Sequence, residues 1–162
     1  MMHAPEAKDH PPVTVVLTKA REAYDLAYYA QRIADPELLE NGLAVCMMRM
    51  PLLAVPVGGS RRGGYYPVPC LCFGLAVRDA LRGNPGFPFL RVRWSVCPDD
   101  SYVVEWGAKP PSLWPGHNDA ILGRFYGYSE AAIEQYTAAQ LAEAPTAPPN
   151  SCPVFSPERP LV

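Results

Sequence analysis

The alternation of apolar and polar positions divides the chain into short elements. Phe73, Ala76, Val77, Ala80 and Leu81 recur at the i, i+3, i+4, i+7, i+8 spacing of one helical face, with Arg78, Asp79 and Arg82 opposite. This predicts a helix that ends at Gly83-Asn84-Pro85-Gly86. Beyond it, Leu90, Val92, Trp94 and Val96 alternate with Arg91, Arg93 and Ser95, and Tyr102, Val104 and Trp106 alternate with Val103 and Glu105. The two runs predict half-buried strands joined by the turn Cys97-Pro98-Asp99-Asp100. Matching their apolar faces sets Val104 opposite Trp94 and Glu105 opposite Arg93, an expected ion pair.

Upstream, Lys19 to Ala34 consists of helix formers, with Leu26, Tyr29, Ala30 and Ile33 at helical spacing. Val13 to Leu17 before it suits a short extended piece, and Asp35-Pro36 opens a helical turn that Asn41-Gly42 stops. Leu43 to Arg49, Leu52 to Val57 and Gly64 to Val68 read as three antiparallel strands. The first two are apolar on both faces, so cover is expected on each side. Lys109 to Asn118 reads as a surface loop; Gly123 to Tyr128 follows, and then Ser129 as the N-cap of a last helix to about Leu141, with Ile133, Tyr136 and Leu141 facing inward. The expected fold class is α+β: an antiparallel sheet of about five strands with helices packed on it, in the order α-α-β-β-β-α-β-β-α. Residues 13–142 are expected to form a single domain, between a flexible tail at 1–12 and a Pro-rich flexible tail at 143–162.

Composition narrows the classes of function. The chain has 162 residues, enough for one domain with a core, and its 20 prolines exceed what a compact domain accommodates, which sends many of them to tails and loops. A net charge of −2 excludes nucleic-acid binding through bulk electrostatics, so any such binding needs a local patch. No apolar run approaches the roughly 18 residues of a membrane span. The N-terminus lacks the basic start and apolar core of a signal peptide, so a cytoplasmic location is expected. The five cysteines are odd in number and scattered, and read as reduced thiols. Cys70-x-Cys72 lacks the C-x-x-C spacing and second pair of a zinc site, so no metal or cofactor is expected.

The candidate chemistry centres on Gly58-Gly59-Ser60-Arg61-Arg62-Gly63-Gly64. Glycine pairs around two arginines suit an anion nest, in which outward amides and forked guanidinium donors meet a phosphate or carboxylate. The same residues equally suit a hairpin tip whose arginines keep it soluble. Arg91, Arg93, Arg61, Arg62 and Arg124 would form a basic surface if loop and sheet lie together, with Tyr65, Tyr66, Phe125 and Tyr126 as stacking faces. Glu105, beside Trp106, and His117 are the two candidate general acids or bases. The expected ligand-binding set is Gly59, Ser60, Arg61, Arg62, Gly63, Tyr65, Arg93, Glu105 and Arg124, and no catalytic residue is assigned.

The order strand, strand, basic turn, strand, helix over Leu43 to Arg82 resembles, in topology alone, the three-stranded DNA-binding modules of AP2 and integrase-arm type. At whole-chain level the sequence resembles a group of small uncharacterised actinobacterial proteins. The resemblance rests on Leu53 to Gly59, Arg61 to Val68, Val104 to Gly107 and Gly123 to Ser129, covers roughly residues 20 to 140, and implies no activity. The sequence therefore points to a binding or regulatory module with an anionic ligand, nucleotide-like or nucleic acid. The alternatives are a small enzyme using Glu105 or His117 with arginines as stabilisers, and a protein-interacting accessory factor.

Overall fold

The apolar faces of the chain meet across two separate sheets rather than lining one. The computed structural model describes residues 13–94, 102–112 and 119–143. Its elements are β1 (Val16–Lys19), a 3₁₀ turn (Ala20–Glu22), α1 (Leu26–Ala30), α2 (Glu37–Glu40), β2 (Leu43–Cys46), β3 (Leu52–Ala54), β4 (Gly63–Val68), α3 (Leu71–Leu81), β5 (Arg91–Trp94), β6 (Tyr102–Gly107), α4 (Asp119–Phe125) and α5 (Glu130–Glu143). The strands form two antiparallel three-stranded sheets, β1-β2-β3 and β4-β6-β5. The α+β class stands, and the single five-stranded sheet is corrected. Both predicted tails, the turn 97–100 and His117 lie outside the described residues.

The correction begins at the N-terminus. Val16–Lys19 pairs with β2 as a full strand, from Val16 opposite Cys46 to Lys19 opposite Leu43. The helix expected over Lys19 to Ala34 is broken, because the backbone at Ala23 is extended and Tyr24 N–H donates to the Pro51 carbonyl at 2.8 Å. The buried Asp25 carboxylate accepts the Leu53 N–H at 2.8 Å. Tertiary hydrogen bonds to the 51–53 segment thus override a stretch of good local helix propensity.

The first sheet is covered on both faces, as its two-sided apolar pattern requires. Ala44 and Leu53 pack against Ala20, Ala23, Ile33 and Leu39, while Val45 and Ala54 face Tyr66, Val77, Leu81, Val104 and Trp106. Two side chains pin the sheets together: Tyr66 Oη donates to the Val45 carbonyl at 3.1 Å, and Trp106 Nε1 to the Val55 carbonyl at 3.0 Å.

Leu52 to Val57 and Gly64 to Val68 do not form a hairpin. The chain crosses between sheets, and β4 pairs over its whole length with β6, from Gly63 opposite Gly107 to Val68 opposite Tyr102. The likeness to three-stranded DNA-binding modules ends there. Gly63 and Gly64 are strand residues whose smallness makes room for large rings: a Cβ on Gly64 would lie 2.4–2.5 Å from the Trp106 indole, and one on Gly63 2.7 Å from the Phe125 ring.

α3 follows its periodicity, with Val77 and Leu81 fully buried. Gly74 admits Val92 of β5, because a Cβ there would sit 2.8 Å from the valine Cγ1. Asn84 ends the helix by donating to the Ala80 and Leu81 carbonyls at 3.1 and 3.2 Å. The β5–β6 register differs by two residues from the expected one: Arg91 opposes Glu105 and Trp94 opposes Tyr102. A slip of two leaves every side chain on its own face, so alternation fixes the parity and not the register.

Gly123 to Tyr128 carries α4 into a turn that returns to the N-terminal half. Ala34 N–H donates to Gly127 O at 2.9 Å and Ser129 N–H to Arg32 O at 2.8 Å, around a bridge between Ile33 and Tyr128. Ser129 Oγ accepts the Ala132 N–H at 3.2 Å, the N-cap geometry expected of it. Ile133 is buried and Tyr136 half-buried, but Leu141 is 75% exposed, so the inner face of α5 stops at Tyr136.

Candidate functional site

The glycine-arginine stretch makes a turn tighter than an open nest. Gly58 and Arg61 exchange backbone hydrogen bonds at 3.0 and 2.9 Å, with Gly59 at φ +52° between them. The Asp35 carboxylate occupies the space a side chain on Gly59 would need, which sets a negative group against the tip. Arg62 is exposed. Arg61 turns inward and is 5% exposed; its Nε donates to the Val55 carbonyl at 3.3 Å and its Nη1 to the Tyr126 carbonyl. The two neighbouring arginines therefore have opposite fates, which no sequence pattern distinguishes.

Inside, Arg61 lies within electrostatic reach of Tyr29, Tyr65, Tyr126 and Tyr128. Among the described residues no carboxylate comes within salt-bridge distance of it. A buried charge without a counter-ion is tolerable only where dipoles and hydrogen bonds replace water, and two carbonyls supply them here. Burial is the main cause that raises the hydroxyl pKa of all four tyrosines, and that of Tyr126 is pushed up to about 12. They remain neutral phenols at physiological pH.

The neighbouring sheet face carries the ion cluster. Glu105 is 3% exposed, and its oxygens accept Arg91 Nε at 3.0 Å and Arg93 Nε at 2.6 Å. Arg91 spends its other donors on the carbonyls of Phe89, Gly107 and Ala108 at 3.3, 3.0 and 3.0 Å. Arg93 is engaged through Nε alone among the described residues, and its side chain is 45% exposed. Tyr65 stands opposite Glu105 in the ladder, and the rings of Tyr65 and Phe125 lie 5.1 and 5.0 Å from that of Tyr126. Tyr126 accordingly feels one carboxylate, Glu105, and three guanidinium groups, those of Arg61, Arg93 and Arg91. The local charge surplus is positive, in a chain whose net charge is negative.

The structure thus brings together Arg61, Arg91, Arg93, Glu105, Tyr65, Phe125 and Tyr126. It leaves Tyr66 on the opposite sheet face, bonded to Val45, and pairs Arg124 with Glu130 at 2.8 Å on the surface. Gly59 and Ser60 lie in the turn, and Gly63 begins β4. Each Glu105 oxygen accepts a guanidinium donor, which fixes the carboxylate at the centre of the ion cluster. Sequence reasoning missed Asp25, Tyr29 and Tyr128, whose surroundings depend on contacts far along the chain; the only local signal was the place of Tyr29 among apolar positions at helical spacing.

Two hollows lie elsewhere. One of about 340 Å³ is bounded by Leu38, Pro56 and Asn84, and a broader groove of about 870 Å³ runs past Leu17, Leu26, Leu39 and Asn84. Neither is lined by Glu105 or by Arg61, Arg91 or Arg93. No group of acidic residues, histidines and cysteines suited to hold a metal ion occurs among the described residues.

The cysteines correct a further expectation. Cys70 and Cys72, read as reduced thiols, are joined by a disulfide, while Cys46 is free. Cys70 has an extended backbone (φ −153°, ψ 168°) just before α3, and the two Cα atoms lie 5.6 Å apart, within the span of a disulfide.

No helix among the described residues is long and apolar enough to cross a membrane. No curated protein and no solved structure matches the chain. The sequence pattern of a family of unknown function, DUF6302, matches residues 17–158, from within β1 to beyond the end of α5. The chain therefore belongs to the DUF6302 family.

Proposed function

We propose that the protein is a non-enzymatic binding module for a phosphate-bearing, nucleotide-like ligand, held on the face of Arg93, Tyr126 and Tyr65. The observation that carries this reading is the imbalance beside Tyr126: Arg91 and Arg93 share the single Glu105 carboxylate and Arg61 donates to the Tyr126 carbonyl, while the Arg93 side chain is 45% exposed. Such a face offers forked donors to a phosphate and a ring edge to a base. Arg62 contributes from the margin, Gly59 and Ser60 through the turn that sends Arg61 inward, and Gly63 through the room it leaves for the Phe125 ring. The module acts in the cytoplasm, and its likeness to actinobacterial proteins suits a small regulatory factor.

Thermal-shift titration with nucleoside mono-, di- and triphosphates and with a short single-stranded oligonucleotide tests it, because a ligand that binds the folded state raises Tm by mass action. Binding should weaken as salt rises and should be lost in Arg93→Gln, whose unliganded melting transition reads separately what losing one of the two Glu105 partners costs the fold. A flat response to all four probes, or unchanged binding by Arg93→Gln, removes the reading. An oligonucleotide response without a nucleotide response assigns the face to nucleic acid.

A protein partner is the second reading, favoured by Phe89 and Trp94. Phe89 is 80% exposed at φ 54°, a conformation that costs a bulky residue energy, and Trp94 is 66% exposed on the edge strand β5. Aromatic residues presented in this way suit a contact with another protein. Phe89→Ser abolishing a pull-down while nucleotide binding persists would support it.

A further inference from the structure

The Cys70–Cys72 bridge does little for the fold. The stabilisation a disulfide gives by restricting the unfolded chain grows with the loop it closes, and this one spans a sequence separation of 2 at the start of a single helix. It ties no strand to another. Its position suits reactivity instead: Cys72 is exposed and Cys70 half-buried, so sulfur is open to attack. Cys70 occupies the N-cap of the 11-residue α3, where no side chain accepts a first-turn amide, and no acidic residue lies in that turn. Those amides lack intrahelical partners and carry the positive end of the helix dipole, an environment that lowers the pKa of a thiol.

We infer that Cys70 and Cys72 form a thiol–disulfide exchange site for low-molecular-weight thiols. A thiolate of the glutathione class attacks the exposed Cys72 Sγ. The S–S bond breaks and its electron pair leaves on Cys70 Sγ, as a thiolate that accepts hydrogen bonds from the first-turn amides of α3. A second thiolate attacks the outer sulfur of the Cys72 mixed disulfide, releases the oxidised small-molecule disulfide, and leaves Cys72 as a thiolate that takes a proton from water. The protein disulfide gains two electrons and the two small thiols lose them. In a reducing compartment the pair stands as the dithiol, and the oxidised small-molecule disulfide restores the bridge by the same steps in reverse: Cys72 thiolate attacks it and releases one small thiolate, and Cys70 thiolate then attacks Cys72 Sγ and releases the other. The inference is independent of the anion-binding face.

The test uses the full chain with Cys46, Cys97 and Cys152 replaced by serine, equilibrated in glutathione buffers from fully reduced to fully oxidised, trapped with an alkylating agent and weighed by mass spectrometry. The pair should pass reversibly from dithiol to disulfide across the series, with the same Tm to within a few degrees at both ends. Added Cys70→Ser should trap glutathione on Cys72 at least several-fold more readily than Cys72→Ser traps it on Cys70. A pair that stays oxidised throughout is a static staple, and one that stays reduced in fully oxidised buffer does not exchange; either result overturns the inference. Loss of the cooperative thermal transition on reduction would do so too, because it would make the bridge structural.

Discussion

Arg61 and Arg62 are adjacent and identical in chemistry, yet replacing each by alanine should have sharply different consequences. In Arg61→Ala the Val55 carbonyl keeps its bond from Trp106 Nε1, but the Tyr126 carbonyl loses its guanidinium donor. A buried carbonyl left unpaired costs about 1–3 kcal/mol. The missing stem beyond Cβ, in a residue only 5% exposed, leaves a void worth about 1–2 kcal/mol more. Removing a buried charge without a carboxylate partner recovers part of this, so the expected loss is about 2–4 kcal/mol. Arg61→Met keeps the stem and should fall between wild type and Arg61→Ala. The exposed Arg62→Ala should stay within about 0.5 kcal/mol. Urea unfolding measured by Trp106 fluorescence gives all three numbers, provided the m-values agree. Equal, small losses for Arg61→Ala and Arg62→Ala would refute the inward placement of Arg61 and, with it, the charge surplus at Tyr126.

Four further outcomes follow from the same structure. Gly64→Ala should cost about 1–3 kcal/mol, since the new Cβ would meet the Trp106 ring; a neutral effect on the urea midpoint would show that the indole does not pack there. Burial raises the Asp25 carboxyl pKa above its ordinary 3.8, so the unfolded chain ionises first and stability falls as pH rises from about 3.8 through the folded value. Asp25→Asn keeps an acceptor for the Leu53 N–H and should flatten this slope without lowering stability at neutral pH; a large loss at neutral pH would mean that the charge itself is required. The raised tyrosine hydroxyls carry the same sign at the alkaline end: stability should decline from about pH 10 upward, with tyrosinate absorbance appearing together with unfolding, whereas free ionisation of all tyrosines near pH 10 in the folded protein would contradict their burial. Ser129→Ala should cost on the order of 1 kcal/mol and Ser129→Asp very little, read from thermal melts; equal losses would assign the hydroxyl another task.

What was legible in the sequence was whatever a local period dictates. The face of α3 reads directly because its helix packs one unbroken stripe on the second sheet, and β5 and β6 read as strands from their alternation; that they are half-buried did not hold, because β6 is covered on both faces and Trp94 is 66% exposed. The Glu105–Arg93 ion pair followed from that alternation. The residue directly opposite Glu105 did not, because parity survives a two-residue slip and Arg91 stands where Arg93 was expected. The two-sheet division was not visible, because three apolar runs in succession look the same whether or not the third turns away, and what turns it is the fit of Gly63 and Gly64 to rings far along the chain. The N-terminal helix misread has the same cause: Lys19 to Ala34 has helix composition, but Asp25 and Tyr24 are committed to residues near position 52. At the site, glycines beside arginines suggested an exposed tip, and only the position of Tyr126 decides which arginine is drawn in.

The return of the C-terminal segment to Ile33 and Ala34 sets the order in which a ribosome can deliver this fold. β1, β2 and β3 come from one contiguous stretch, and β4, β5 and β6 from the next, so each sheet is able to assemble soon after its own residues emerge. Tyr28, Tyr29 and Tyr65 cannot be covered until Tyr126, Tyr128 and Ile133 have been made, almost at the end of the described chain. The nascent protein therefore carries a wet, aromatic seam through most of its synthesis, at the stage when exposed apolar surface invites misassembly and chaperone capture. A translational stall between β6 and α4 would be the most hazardous place for the ribosome to pause.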